Sequence, residues 1–222
     1  RGFGGPLDQG GAVTGTIAVL DYGIGNLRSA QKALERLGAS AVLTDDATVV
    51  DRAAGVVLPG VGAFGACMTA LKASGLDTAV FEAVGAGKPF LGICVGMQML
   101  FEGSEEDPHV PGLGILSGSV CRLEPPAGGK LPHMGWNTVE VSERSRLLSG
   151  LGGAGGSWMY FVHSYAPVPS DPAMVTGWTD YGGPVVAALE RGTVWATQFH
   201  PEKSSTGGMR VLGNFVAACS AS

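Results

Sequence analysis

Short apolar runs alternate with stretches whose apolar positions recur at helical spacing over the first hundred residues. Thr16 to Asp21 (TIAVLD) is an apolar run bounded by Gly and predicts a buried strand. From Asn26 to Leu37 the positions Leu27, Ala30, Ala33, Leu34 and Leu37 fall on one helical face, and Gly38 supplies a stop. Ala39 to Leu43 and Gly55 to Leu58 predict two further strands, the latter ended by Pro59-Gly60. Phe64 to Lys72 and Leu76 to Ala86 predict helices, Lys88 to Ile93 a fourth strand, and Val95 to Phe101 a helix that begins with no intervening loop. Strands alternating with helices in this way imply an α/β fold built on a central, largely parallel sheet flanked by helices.

The second half has another rhythm. Val120–Leu123, Thr138–Val141, Trp158–Val162, Met174–Trp178, Val185–Leu189 and Thr193–Ala196 are short and separated by Gly, Pro and Asp, which predicts strands, several of them antiparallel. A helix over Ser205 to Cys219 closes the chain, with Met209, Leu212, Phe215, Val216 and Cys219 along one stripe. No internal repeat and no linker interrupts residues 16–222, which are expected to form a single domain. Residues 1–15 are Gly-rich and aperiodic, and read as a flexible extension or a remnant of added sequence. The pairs Gly152-Gly153 and Gly155-Gly156 mark a loop.

Composition narrows the classes. Of 222 residues, 45% are hydrophobic and 15% charged, which suits a folded chain with a substantial core. The net charge of −5 argues against nucleic acid as a partner. No apolar run reaches the roughly 18 residues of a membrane span. Cys67, Cys94, Cys121 and Cys219 are scattered, with no zinc-ligand spacing, so no metal site is expected and a reduced, cytoplasmic setting is.

Gly92-Ile93-Cys94-Val95-Gly96 carries the strongest chemical signal. It follows a predicted strand and opens a predicted helix, as a nucleophile elbow does. A sharp turn there needs small residues two positions to either side, and a helix N-terminus favours thiolate over thiol. The N–H of Val95 is then placed to hold an oxyanion. His200 and Glu202, two apart in an extended segment, point the same way, so the carboxylate can orient an imidazole that serves Cys94 as base. The loop Pro59-Gly60-Val61-Gly62 ends a strand and offers a second oxyanion donor. Of the remaining residues, His109 is expected in an exposed loop, His163 as a hydrogen-bonded structural histidine, and Cys67, Cys121 and Cys219 in the core. The acidic residues Glu102, Glu105, Glu106 and Asp107 are expected to form a solvated face.

The segments LPGVGAF (58–64), GICVGMQ (92–98) and QFHPEKS (198–204), in that order, resemble the class I, triad-type glutamine amidotransferases. PHMGWN (132–137), YFVHSY (160–165) and DYGIGNL (21–27) narrow the resemblance to the branch that serves imidazole glycerol phosphate synthesis as a glutaminase subunit. The resemblance implies a flavodoxin-like fold, with Cys94 attacking the amide of L-glutamine, His200 moving the proton and Glu202 orienting His200. It implies an oxyanion held by N–H groups of Val95 and of Gly60, Val61 or Gly62, and glutamine held at Gly62, Gln98, Ser164 and Tyr165. No cofactor is implied. The implied partner is a cyclase subunit with a (β/α)₈ barrel, forming a heterodimer that makes imidazole glycerol phosphate and AICAR from PRFAR in histidine biosynthesis. Asn26, Met134, Trp136, Asn137, Tyr160 and Lys203 are the expected contacts with it. Three alternatives stay open: a glutaminase of another amidotransferase, a cysteine amidohydrolase that needs no partner, and a silent binding module.

Overall fold

The computed structural model describes residues 15–152 and 157–221. The N-terminal extension and most of the Gly-rich loop near 150–156 lie outside the described residues. A nine-stranded sheet organises the rest. Five parallel strands form one half: β1 (Thr16–Leu20), β2 (Ser40–Thr44), β3 (Gly55–Gly60), β4 (Phe90–Cys94) and β11 (Val194–Thr197). The antiparallel half adds β10 (Pro184–Arg191), β9 (Val175–Asp180), β6 (His133–Val141) and β7 (Ser157–His163), so the order is β2-β1-β3-β4-β11-β10-β9-β6-β7. A separate ribbon pairs β5 (Gly118–Arg122) with β8 (Tyr165–Pro169). The helices are α1 (Leu27–Arg36), α2 (Ala47–Arg52), α3 (Phe64–Ala73), α4 (Leu76–Gly85), α5 (Val95–Gln98) and α6 (Ser205–Ser220). Central strands β3 and β4 are buried along their whole length, which is why they read as unbroken apolar runs. Buried side chains from Ile17 to Cys219 form one contiguous cluster.

Four elements depart from the expected pattern. Helix α2 was not expected, because six residues with two adjacent valines carry no helical period; Asp46 starts it by accepting the Thr48 N–H at 2.8 Å. Strand β8, YAPVP, contains two prolines and was hidden by them; a two-stranded ribbon tolerates proline because half its hydrogen-bonding groups face outward. Helix α5 ends at Gln98 rather than Phe101, since Leu100 and Phe101 donate to the carbonyls three residues back and tighten the turn. Strand β6 also begins five residues earlier than the apolar pattern marks, because one of its faces is exposed.

The site-bearing corner is the turn from β4 into α5. Cys94 sits at φ 55°, ψ −112°, a left-handed backbone rarely adopted by a residue with a side chain. The turn presses directly on β3. A Cβ at Gly96 would lie 1.8 Å from the Leu58 carbonyl oxygen, and one at Gly60 would lie 2.7 Å from the Gly96 nitrogen. Both glycines are therefore required by backbone-to-backbone contact. Gly96→Ala should destabilise the fold by about 3 kcal/mol or more, because neither strand can retreat from a packed core. Gly85→Ala, in open space at the end of α4, should be neutral or slightly stabilising. Chemical denaturation of the two variants checks this, and equal losses would contradict it.

Candidate active site

A cleft of about 530 Å³ opens at the C-terminal ends of β3 and β4. The elbow supplies Cys94, Val95 and Gln98 to it, and the loop after β3 supplies Val61 and Gly62. His163, Ser164 and Tyr165 come from the junction of β7 and β8, and His200 and Lys203 from the segment after β11. Asn26 and Glu106 complete the rim. Gly60 lies behind Val61, its position facing the backbone of Val95 and Gly96.

His200 and Glu202 meet, but through a single 3₁₀ turn over Pro201–Lys203 rather than the extended segment expected. His200 Nδ1 donates to Glu202 Oε1 at 2.8 Å, with the two side chains only 2% and 3% exposed. Their segment is clipped to β7. The His200 N–H donates to the Tyr160 carbonyl, the Ser204 hydroxyl donates to the His200 carbonyl at 2.6 Å, and the Tyr160 N–H donates back to Ser204 Oγ. This leaves His200 Nε2 buried with no hydrogen-bond partner in its present geometry, while the cleft brings Cys94 and His200 to one wall. Burial works against the imidazolium, but the nearby Cys94 and the Glu202 carboxylate outweigh it and push His200 up to about 9. A base that holds a proton this firmly, oriented by a buried carboxylate and beside a strained cysteine, suits acyl transfer through a thioester.

Other residues fall differently from expectation. Met134 and Trp136 are 66% and 50% exposed, and Tyr160 stands opposite Trp136 across the β6–β7 pair. Trp136 packs edge-on to Tyr160, and the Lys203 ammonium lies 5.9 Å from the Tyr160 ring centre. Trp158, 56% exposed, continues the same face; its alternation with Tyr160 along the strand was the available signal. Asn137 turns the other way. Being next to Trp136 in an extended strand, it points through to the opposite side, where Nδ2 donates to His133 Nε2 at 3.2 Å and to the Asp180 carbonyl at 2.9 Å.

The acidic cluster is at the surface, with Glu102 and Glu105 exposed, but three of its carboxylates are tied to backbone. Glu102 accepts from the Gly118 N–H, Glu105 from the Arg122 N–H, and Glu106 from the Phe64 N–H at 2.8 Å. Glu106 thereby stands at the cleft, a placement no local pattern announces. Gln198 is a second residue missed: fully buried, its Nε2 points at Cys94 Sγ over 3.7 Å. Cys67 and Cys219 are buried as expected, whereas Cys121 is only half-buried. Burial raises the Cys67 thiol and pushes Cys219 up to about 12. Among the described residues no group of three or more His, Cys, Asp or Glu side chains is arranged to hold a metal ion. No helix there is long and apolar enough to cross a membrane.

Known proteins can now be set beside this geometry. Residues 18–219 match the family model for glutamine amidotransferase class-I. The chain is 50% identical over 199 residues to the imidazole glycerol phosphate synthase subunit HisH of Moorella thermoacetica, covering 90% of this chain and 93% of that one. It is also 50% identical over 204 residues to the protein of the same name from Mycolicibacterium paratuberculosis, covering 90% and 97%. A crystal structure of a glutamine amidotransferase superposes with a TM-score of 0.69 at 25% identity, covering 91% of this chain and 98% of the other. The structure of PurLQS from Thermotoga maritima shares the fold with a TM-score of 0.72 at 21% identity, over 90% and 97%. The strained cysteine and its histidine–glutamate pair thus sit in a fold and sequence of known kind, and the chain belongs to the class-I glutamine amidotransferase family.

Proposed function

We propose that this chain hydrolyses L-glutamine and passes the ammonia to a cyclase partner, as the glutaminase subunit of imidazole glycerol phosphate synthase in histidine biosynthesis. The observation that carries the reading is the His200–Glu202 pair at 2.8 Å beside the elbow cysteine, in a chain half-identical to proteins of that name. Cys94 Sγ, its proton already held by His200, adds to the side-chain carbonyl carbon of glutamine. The oxyanion that forms is received by the Val95 N–H and an N–H of the Gly60-Val61-Gly62 loop. The carbon–nitrogen bond then breaks, His200 returns the proton to the departing nitrogen, and a thioester remains. Water, deprotonated by His200, cleaves the thioester to glutamate and frees the thiol. Gln98, Ser164 and Tyr165 line the wall that holds the substrate. Glu106 is the one carboxylate lining the cleft among the described residues, and it receives the α-ammonium group.

Ammonia in water at neutral pH is mostly ammonium, which is no nucleophile, so it must be made beside its acceptor and kept dry. The exposed Met134 and Trp136 and the half-buried Tyr160, with Lys203 and Asn26 nearby, form the face against which a (β/α)₈ cyclase docks. Such a barrel works at the C-terminal end of its strands, so the glutaminase seats at the opposite end and ammonia travels through the barrel. The single domain acts in the cytoplasm, as one half of a heterodimer.

Co-purification with a candidate cyclase, with glutamate release measured with and without the ribonucleotide substrate, tests the whole reading. Release should be slow for the isolated chain and rise in the loaded complex; a fast rate without partner would favour an independent amidohydrolase. Cys94→Ala should lower glutamine-dependent synthesis by on the order of 10⁴-fold or more while ammonia-dependent synthesis by the complex persists. Loss of both would remove Cys94 from the role given to it. Glu106→Gln should raise KM for glutamine on the order of tenfold with little change in kcat, the signature of a lost charge-assisted contact with bound substrate. Because His200 must carry a proton to release ammonia, kcat/KM should fall as pH rises through about 9. Glu202→Gln should move that alkaline limb downward, since the carboxylate helps to hold the proton; an unmoved limb would assign it to another group.

A further inference from the structure

Beneath the cleft, six side chains and one carbonyl form an unbroken polar chain whose direction is fixed at both ends. At one end Asn137 Oδ1 accepts the Thr138 N–H at 2.8 Å, so its amide nitrogen is the atom facing His133 Nε2 at 3.2 Å and the Asp180 carbonyl. His133 Nε2 must therefore accept. Its Nδ1 faces His163 Nε2 at 3.0 Å, and His163 Nδ1 faces the Tyr165 carbonyl at 2.9 Å. A carbonyl can only accept, so His163 carries its proton on Nδ1 and accepts on Nε2; His133 then carries its proton on Nδ1. From the other side Gln98 Nε2 donates to the same Tyr165 carbonyl at 2.9 Å and to Gln198 Oε1 at 3.0 Å. That fixes the Gln198 amide too, and turns its nitrogen toward Cys94 Sγ.

Only one protonation pattern satisfies every link. Both histidines are neutral with the proton on Nδ1; a second proton on either would set two N–H groups against each other. Burial drives both rings the same way, lowering each to about 4, with the charge of His200 adding to the effect at His163. His133 is further gripped between the Phe161 ring, 4.8 Å away, and the Tyr181 ring, 4.1 Å away, both nearly parallel to it.

We propose that His133 and His163 are a positioning dyad of the glutaminase: locked as neutral Nδ1–H tautomers, they hold the Tyr165 carbonyl and thereby aim Gln98 and Gln198 at the substrate cleft and Cys94. Neither is a catalytic residue, since His133 lies outside the cleft and His163 spends both ring nitrogens on neighbours. The kinetic part of this inference rests on the function proposed above; the tautomers do not.

Two measurements test it. Nitrogen-15 NMR of the full chain at pH 7 should show two histidines as neutral Nδ1–H forms, with one of these signals lost in His133→Phe. A cationic ring or an Nε2–H tautomer at either position would overturn the dyad. In the cyclase complex, His133→Phe keeps the aromatic stack and loses both hydrogen bonds, whereas His133→Asn loses the stack but places an amide donor where Nδ1 was. His133→Phe should lower kcat/KM for glutamine about tenfold, the scale of one buried hydrogen bond, falling mainly on KM. His133→Asn should recover most of that loss. A purely structural role gives the reverse order, Phe ahead of Asn, and that order, or a Phe variant equal to wild type, would overturn the proposal. A wild-type complex that releases no glutamate would instead sink the function, leaving the NMR result to judge the dyad.

Discussion

The contact on which the site depends is between two backbones. Strand β3 and the first turn of α5 approach until no Cβ fits at Gly96, where the nearest atom is the Leu58 carbonyl oxygen. This approach does two things. It forces the chain through the left-handed turn at Cys94, lifting the sulfur out of the strand's hydrogen-bonding plane and into the cleft. It also brings the loop after β3, with Val61 and Gly62, alongside the Val95 N–H. Candidate nucleophile and candidate oxyanion donors are thus placed by one event of packing, and the strain at Cys94 is sustained by a parallel sheet buried on both faces.

Around that corner the same residue type meets opposite electrostatics. His200, His133 and His163 are all buried, yet His200 is pushed upward and the other two downward. Burial alone disfavours the cation in each case. At His200 a carboxylate at 2.8 Å and the cysteine reverse the sign. At the other pair no anion is near, and each ring faces only the other ring and neutral groups. A proton-carrying imidazole within reach of two neutral ones keeps the proton where the reaction uses it, since His163 would have to break its bond to Tyr165 or His133 to compete.

The pattern of apolar residues made the parallel half of the fold legible, because fully buried strands and amphipathic helices leave a period behind. Cys94, His200 and Glu202 were legible for a related reason: a strand running into a helix without a loop, with glycine on both sides, has few structural explanations. What stayed hidden is non-local. Glu106 reads as one carboxylate in an acidic run, and only the fold shows that it accepts the Phe64 N–H and reaches the cleft. That Trp136 and Asn137 face opposite sides follows from strand alternation, but the extent of β6 had to be known first. Strand β8 was masked by Pro167 and Pro169, which sequence reading treats as breaks and a two-stranded ribbon accommodates.

The far edge of the sheet bears on the partner by a separate route. Strand β7 ends the nine-stranded order, so among the described residues one side of it has no strand neighbour. A covering element blunts that edge, since the Tyr160 N–H and carbonyl bond to Ser204 Oγ and the His200 N–H, and what stays open is a face of the strand pair. Here Trp158, Tyr160 and Val162 alternate along one face of that strand, opposite Thr138, Trp136 and Met134. Three large apolar side chains half or more exposed on one two-stranded surface are hard to reconcile with a chain that works alone in water. The same ribbon supplies the Tyr160 carbonyl that anchors His200 and, at its end, the His163 that lines the cleft. A surface that needs covering and a site that needs its product kept dry therefore share one pair of strands, and a single docking event can satisfy both.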